Sequence, residues 1–404
     1  MYPLREMQTP AREIQTLVID SPEKLRAEAA RWDDLWRRSA ATSPLGRAEP
    51  VAQWLEQFAP RGTTTALALC RGDTMVAALP LVSSRLGGVL SEAALTGNEW
   101  SPCGELLVDA AADDAVYDAL IAACAPLPAA WLWCGAAAID QPHWQGWSAA
   151  CRRAGAEPLI QTRYEVGRTP IGCDFDAFLR GLSRSHRHAM TKAVRRLGES
   201  GTLTFRRETA PPVDAVEPLL FAGFEIEDRS WKGRAGTSVL RTPGMFGYFV
   251  RQGEELARRQ SLDLSFVELD GRPIAFLYGY RGKGVLFAHK IGYDPDFAQF
   301  SPGQALFYLL FEQLHAEQAA AGEATRTATG AMPIAAEPRD RLVHVLDFSG
   351  PLTEATSRWR PEPYPIGKIV VAPRRLVGKA ALYAYRRWWP RLSALRRLVA
   401  GNRG

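Results

Sequence analysis

Two short stretches of this chain concentrate the side chains that could do chemistry. In the first, Glu225, Glu227 and Asp228 stand just ahead of Trp231, Lys232, Gly233, Ala235, Gly236 and Thr237. Three carboxylates, an indole and glycines suit a loop that a ligand approaches closely; a helix end with Trp231 as a core anchor is the competing reading. In the second, His289 and Lys290 are followed by Tyr293, Asp294 and the turn Ser301-Pro302-Gly303-Gln304-Ala305. Leu306, Phe307, Leu310 and Leu314 recur at helical spacing after that turn, so it opens a helix. The first N–H groups of a helix lack intrahelical partners and the helix dipole adds positive charge, so the position suits a phosphate. Pro302 needs no N–H there, and Gly303 leaves the main chain open to a ligand. A well-capped helix without a ligand satisfies the same residues.

A three-strand meander delivers the second stretch. Residues 261–269 alternate apolar with polar, Asp270-Gly271 is a two-residue hairpin turn requiring positive φ, and 273–280 read as the returning strand. Gly282-Lys283-Gly284 turns the chain again, 285–293 form a third strand, and 294–303 a loop. Upstream, 175–200 predict one helix that Gly201 stops, with Leu182, Ala189, Met190, Ala193 and Leu197 on one face and Arg184, Arg187, His188 and Arg195 on the other. That basic face is either solvated or receives an anionic ligand. His186 and His188 have no third ligand nearby and make a poor metal site.

Bulk properties set the limits. A chain of 404 residues suggests two domains, and 47% hydrophobic with 23% charged residues is the balance of a soluble globular protein. The net charge of +5 hides an asymmetry: from 363 onward there are ten Lys or Arg and no Asp or Glu, which leaves 1–362 at 39 basic against 44 acidic. The cysteines at 70, 103, 124, 134, 151 and 173 have no metal-like spacing, and reduced, buried thiols of a cytosolic protein are expected. The N-terminus lacks the apolar core of a signal peptide, and the most apolar run, 124–139, is broken by Pro126 and Pro128 and is too short to span a bilayer. The expectation is a cytoplasmic protein without a transmembrane helix.

In the first half a strand at 15–20, helices at 22–39 and 50–58, strands at 63–71 and 75–83 across Gly72-Asp73, a helix at 113–123, a strand at 130–134 and a helix at 144–154 follow one another as in an α/β unit. A second such unit begins near Tyr164, with a helix through Val216, Leu219, Leu220 and Phe224 and a closing strand at 341–348. Residues 351–373 read as a proline-rich linker. In the tail, Arg375, Lys379 and Arg386 lie opposite Val377, Ala381, Ala384 and Trp388, and Leu392, Leu395 and Leu398 repeat after Pro390. With Trp388-Trp389 this is the pattern of a helix lying on an anionic leaflet, or of one packed back on the acidic body.

The run 269–276, His289-Lys290, Tyr293-Asp294, Phe300-Ser-Pro-Gly303 and the Trp-Lys-Gly segment 231–237, with 78–81 and 95–109 in the first half, resembles the GNAT acyltransferase superfamily. Within it the chain is similar to tandem-GNAT, FemAB-like proteins, more narrowly the cellulose and polysaccharide biosynthesis branch. The resemblance implies an α/β fold of two GNAT-like domains, 1–163 and 164–350, each a mixed central sheet flanked by helices. The linker, 351–373, and a basic helical tail, 374–404, would follow. It further implies acetyl-CoA or another acyl-CoA as co-substrate, with Ser301, Pro302, Gly303, Gln304 and Ala305 at its pyrophosphate and Phe300 where a polar residue is usual.

Acyl transfer requires a placed thioester, removal of the acceptor proton and stabilisation of the oxyanion. No G-x-S-x-G elbow, P-loop or clear zinc motif is present, and the resemblance implies direct attack within a ternary complex. On that basis Glu225, Glu227 and Asp228 are base candidates, with His289 as rival. Lys290 beside Tyr293 and Asp294 would position acceptor or acyl group, unless the Lys–Asp pair simply holds strand end to loop. Arg184, Arg187, Trp231 and Lys232 would contact substrate. The acceptor is an amine or hydroxyl of a small molecule, sugar, polysaccharide or envelope precursor, near an inner membrane that the tail touches; neither a metal nor DNA is expected. Two alternatives stand beside this one. The first is an aminoacyl-tRNA-dependent transferase, for which the 184–196 helix speaks and the net acidic body does not. The second is a catalytically silent member of a polysaccharide assembly system, for which Phe300 is the clue.

Overall fold

The structure, a computed structural model, describes residues 13–60, 63–86, 90–327, 342–372 and Tyr383. The chain divides into two compact units: Met1–Ala41, Gly46–Gln161 and Gly367–Gly404 in one, Thr42–Leu45 and Thr162–Ile366 in the other. In the first, strand β1 (Ile14–Ile19) leads into helices α1 (Pro22–Ala27), α2 (Ala29–Arg38) and α3 (Ala48–Phe58). Strands β2 (Thr63–Arg71), β3 (Thr74–Leu86), β4 (Leu90–Leu95) and β5 (Leu107–Val108) follow, then α4 (Asp114–Cys124), β6 (Trp131–Ala138) and α5 (Pro142–Arg153). β1 to β4 pair antiparallel in chain order, β4 pairs parallel with β6, and β5 lies on β3. The helix expected at 22–39 is two, parted at Glu28, and the strand Leu90–Leu95 was not expected. Five of the six cysteines are buried; Cys173 is exposed, against expectation.

The second unit carries β7 (Leu159–Pro170), α6 (Phe175–Gly181), α7 (Arg184–Ser200), β8 (Leu203–Thr209), α8 (Val213–Arg229), α9 (Trp231–Arg234) and α10 (Met245–Arg258). The expected meander follows as β9 (Leu262–Leu269), β10 (Arg272–Gly282) and β11 (Val285–Tyr293), then α11 (Pro302–Thr327), β12 (Val345–Asp347), α12 (Glu354–Ser357) and β13 (Glu362–Val371), which ends in the first unit. The strand order is β7-β12-β11-β10-β9-β8. Both turns of the meander adopt the positive φ that their residues suggest: 52° and 77° at Asp270 and Gly271, 49° and 77° at Lys283 and Gly284. Ala275 and Leu277 face the cluster that holds Leu306, Leu310 and Phe311 of α11 and Met190 and Leu197 of α7. On the other face Phe276 and Tyr278 meet Phe224 of α8, and Tyr278 meets Phe249 of α10.

Two expectations are corrected here. The single helix over 175–200 is α6 and α7, because the Ser183 hydroxyl accepts the His186 N–H at 3.2 Å and starts a new helix. Residues 351–373 hold α12 and β13 instead of serving only as a linker. Pro363 and Pro365 lie two apart in β13, so both missing donors fall on one side of the strand. The tail from 374 lies outside the described residues except for Tyr383, and no helix among the described residues is long and apolar enough to cross a membrane.

α8 reaches the sheet through small residues. A Cβ on Gly223 would lie 2.4 Å from the Phe276 ring, and one on Gly292 of β11 would lie 3.2 Å from the Glu227 Cα. Gly223→Val is therefore expected to destabilise the protein by about 1–3 kcal/mol in chemical denaturation, as overpacking does. Gly303→Ala, whose Cβ would sit at an ordinary 3.6 Å from Tyr293, should change stability little; equal losses at the two positions would contradict the packing argument.

Candidate active site

The site is organised by an irregularity in β11. Tyr278 is opposite Lys290 while Gly279 is opposite Ala288, so His289 is an extra residue, a β-bulge. Strict alternation would send His289 and Lys290 to opposite faces. The bulge puts both on the face covered by α8 and α10. The His289 ring centroid lies 5.8 Å from Tyr280, 6.2 Å from Tyr278 and 6.4 Å from Phe249, and the Lys290 Nζ stands 5.3 Å from the centre of the Phe249 ring. Burial lowers the Lys290 ammonium to a pKa of about 8; the Glu227 charge opposes that shift and the Lys232 charge adds to it.

The acids expected on a loop lie instead in the last turns of α8. Residues 225 and 227 are about 200° apart around a helix, and the structure buries Glu227 while exposing Glu225. Glu227 is 3% exposed, and its carboxylate accepts from Lys232 Nζ at 2.7 Å and from the Val239 N–H at 3.1 Å. Asp228 faces a different set: Arg241 binds it through two nitrogens at 2.9 and 3.1 Å and Ser238 Oγ donates at 2.5 Å, which together hold its carboxyl below the ordinary range. Trp231, considered as a core anchor, opens α9 with its side chain exposed.

Asp294 does not meet Lys290. It is 1% exposed and accepts from Arg272 at 2.6 Å, with Arg229 at 3.1 Å and the Asp296 N–H at 3.1 Å, so it ties the end of β11 to α8 and β10. Tyr293 is on the opposite face from Lys290, against the first turn of α11 at Gly303. Ser301 takes a left-handed conformation, φ 56°, and its carbonyl accepts both the Gln304 and Ala305 N–H groups. Pro302 has no N–H, so Gly303 supplies the main-chain donor of that turn. Beside it Arg196 of α7 bonds the Gln299 carbonyl at 3.2 Å and lies over the Phe300 ring at 5.3 Å. Arg187 caps α6 through the Leu179 carbonyl, and Arg184 is exposed. Both belong to a helix on the α11 face, across the sheet from Glu227 and Lys290.

The structure thus brings together Glu227, Lys232, His289 and Lys290. It sets Ser301 to Ala305 with Tyr293 on the other side of the strand, and leaves Glu225, Asp228, Asp294, Arg184 and Arg187 outside the cluster. Sequence reasoning missed Phe249 and Arg196; an apolar face on one helix and a basic face on another were the only signals for them.

Residues 184–326, about a third of the chain, match the family model described as Acetyltransferase (GNAT) domain. The fold is similar to that of FemX, at 11% identity and a TM-score of 0.54, over 88% of this chain and 96% of that one. It is also similar to the C-terminal domain of a putative lysylphosphatidylglycerol synthetase from Agrobacterium fabrum, at 11% identity and a TM-score of 0.50, over 90% and 97% of the two chains. A tandem GNAT protein from the clavulanic acid biosynthesis pathway aligns at 12% identity and a TM-score of 0.43 over 89% and 99%. Among curated proteins none matches. These likenesses concern fold alone, and the fold is of the mixed α/β class expected, with a central sheet and helices. They do not show the cellulose branch.

Two outcomes follow from the cluster. Lys290 binds its proton less tightly when folded, near 8, than its unfolded value of 10.5. Between those values the unfolded chain holds more protons, so native stability rises with pH across that window. Equilibrium denaturation should show the rise in wild type and its loss in Lys290→Met; parallel curves would place Lys290 in contact with water. Lys232→Met leaves the buried Glu227 carboxylate without its cation and should cost about 3–5 kcal/mol, much of it recovered in Lys232→Met/Glu227→Leu. A double variant no better than the single would show that the pair is not coupled.

Proposed function

We propose that this chain passes an acyl group directly from an acyl-CoA, acetyl-CoA foremost, to an amine or hydroxyl of a sugar, polysaccharide or envelope precursor. The observation that carries this reading is that one strand serves two sites. β11 gives Lys290 to a buried acid–base cluster on one face and sets Tyr293 against the α11 turn on the other. The ladder between β11 and β12 covers Val285–Phe287 alone, while that with β10 runs on to Tyr293. Ser301 to Ala305 would hold the donor's phosphates, through the Gly303 N–H and the dipole of α11.

Acyl-CoA supplies an activated carbonyl and a sulfur leaving group. Lys290 in its neutral form, abundant from about pH 8 upward, accepts the proton of the attacking nitrogen or oxygen. The new bond forms to the carbonyl carbon, the carbon–sulfur bond breaks with its electron pair on sulfur, and the proton passes from Lys290 to that sulfur. Glu227 keeps a negative charge beside the resulting ammonium. Asp228, bound by Arg241, is a poor base, and Glu225 is on the wrong side of α8.

Thermal unfolding with acetyl-CoA, longer acyl-CoAs and CoA tests the reading. Ligand at one hundred times its dissociation constant stabilises by about 2.7 kcal/mol, and Gly303→Trp should abolish the shift while Lys290→Met keeps it and loses transfer. No shift with any CoA species would overturn the proposal. A second reading, an aminoacyl-tRNA donor, is favoured by the exposed Arg184, His188 and Lys192 of α7; stabilisation by charged tRNA in place of CoA would establish it.

A further inference from the structure

We propose that Phe249 of α10 is the positioning residue of the active site, the side chain that holds both bulge residues, His289 and Lys290, in their working places. The inference rests on the function proposed above, but its geometry is independent of the reaction. α10 buries Met245, Tyr248, Phe249, Gln252 and Leu256, the spacing of a single helix face. From that face the Phe249 ring, fully buried, meets Phe224 at 5.2 Å and Tyr278 edge-on at 5.4 Å and 86°. A ring so fixed cannot turn without moving two other aromatics.

What it offers the bulge is a π face. An ammonium 5.3 Å from the ring centre is within the range of a cation–π contact, which gains strength as water is withdrawn. The same ring, 6.4 Å from His289, helps confine the imidazole with Tyr278 and Tyr280. Behind it, Tyr278 donates to Gln252 Oε1 at 2.9 Å, and Gln252 Nε2 donates to the Tyr248 hydroxyl at 3.0 Å, so hydrogen bonds within α10 and to β10 fix the wall on which Phe249 stands.

Charged and titratable groups that face the ammonium include Glu227 of α8 and Lys232 of α9, with His289 beside it in β11 and Tyr278 opposite it in β10. Glu227 is already engaged by Lys232 and Val239. Phe249 offers its ring face to the Lys290 charge at 5.3 Å. Removing the π face while keeping bulk should make Lys290 give up its proton at lower pH. A cation–π contact of this kind corresponds to about half to one pH unit.

The test reads Lys290 directly, so that it does not depend on knowing donor or acceptor. The full chain is labelled with limiting acetic anhydride from pH 6 to pH 10, and the extent at Lys290 is followed by mass spectrometry in wild type, Phe249→Met, Phe249→Leu and Phe224→Leu. Phe224 touches Phe249 but is on α8, so its variant controls for loosened packing. The expected result is a midpoint lowered by about half to one unit in both Phe249 variants and unchanged in Phe224→Leu. Phe249→Met, close in volume, serves if Phe249→Leu does not fold. An unchanged midpoint in Phe249→Met, or the same shift in Phe224→Leu, would overturn the proposal. Where transfer is measurable, the limb of the kcat/KM–pH profile should move with the labelling midpoint. Lowered labelling midpoints with no CoA response would sustain the positioning role while removing the acyl-CoA reading.

Discussion

One surplus residue in β11 determines where every later side chain of the site points. Side chains alternate along a strand with a period of two, so a slip of one residue inverts all that follow. Phe287 stacks on Tyr280 and faces α10, and His289 faces the same way. After the bulge the even positions take over that face: Lys290 over Phe249, Gly292 against Glu227. The odd position Tyr293 is thereby released to the α11 side. Without the bulge Lys290 would stand opposite Leu277 and enter the Leu277–Leu306 core, and Ile291 would take the place of Gly292 against Glu227, where even a Cβ comes within 3.2 Å.

The bulge also explains an electrostatic cost. Moving an ammonium from a pKa of 10.5 to about 8 corresponds to about 3 kcal/mol of disfavoured charge. The Glu227 charge offsets this cost only in part, and its oxygens accept from Lys232 and from the Val239 N–H. The cluster holds two cations and one carboxylate away from bulk water, and the cheapest change open to it is release of one proton. A lysine ready to be neutral near working pH is thus a consequence of packing three charges beneath one helix.

Much of the frame could be read from residue types with a fixed geometric meaning. Asp-Gly and Gly-Lys-Gly demanded positive φ and placed both turns of the meander; Ser-Pro-Gly placed the start of α11. The bulge carried no such mark. Val285 to Ala288 are all apolar, and a strand buried on both faces shows no alternation that a bulge could interrupt. Glu225, Glu227 and Asp228 were equal as long as α8 was taken to end at Phe224; five more helical residues separate them by angle and by partner. The tail raised a question of a different kind, since its basic amphipathic pattern is legible but lies outside the described residues.

The site's two halves occupy opposite faces of one strand, and this limits how a reaction could use them. A phosphate held at Gly303 and a proton accepted at Lys290 are separated by the thickness of the sheet, so a donor bound at the turn must present its carbonyl around β11 instead of through it. The structure leaves one stretch where that passage is compatible with the hydrogen-bond ladder, from Ala288 to Tyr293, where pairing with β12 has ended and pairing with β10 continues. The bulge falls inside that stretch. A strand paired on both sides would resist the extra residue, because a bulge breaks the ladder on the side where it occurs and bends the strand away from the other. The same departure of β12 that would give the proposed donor a path therefore also lets His289 be accommodated, and with it the rotation that puts Lys290 on the face of Glu227.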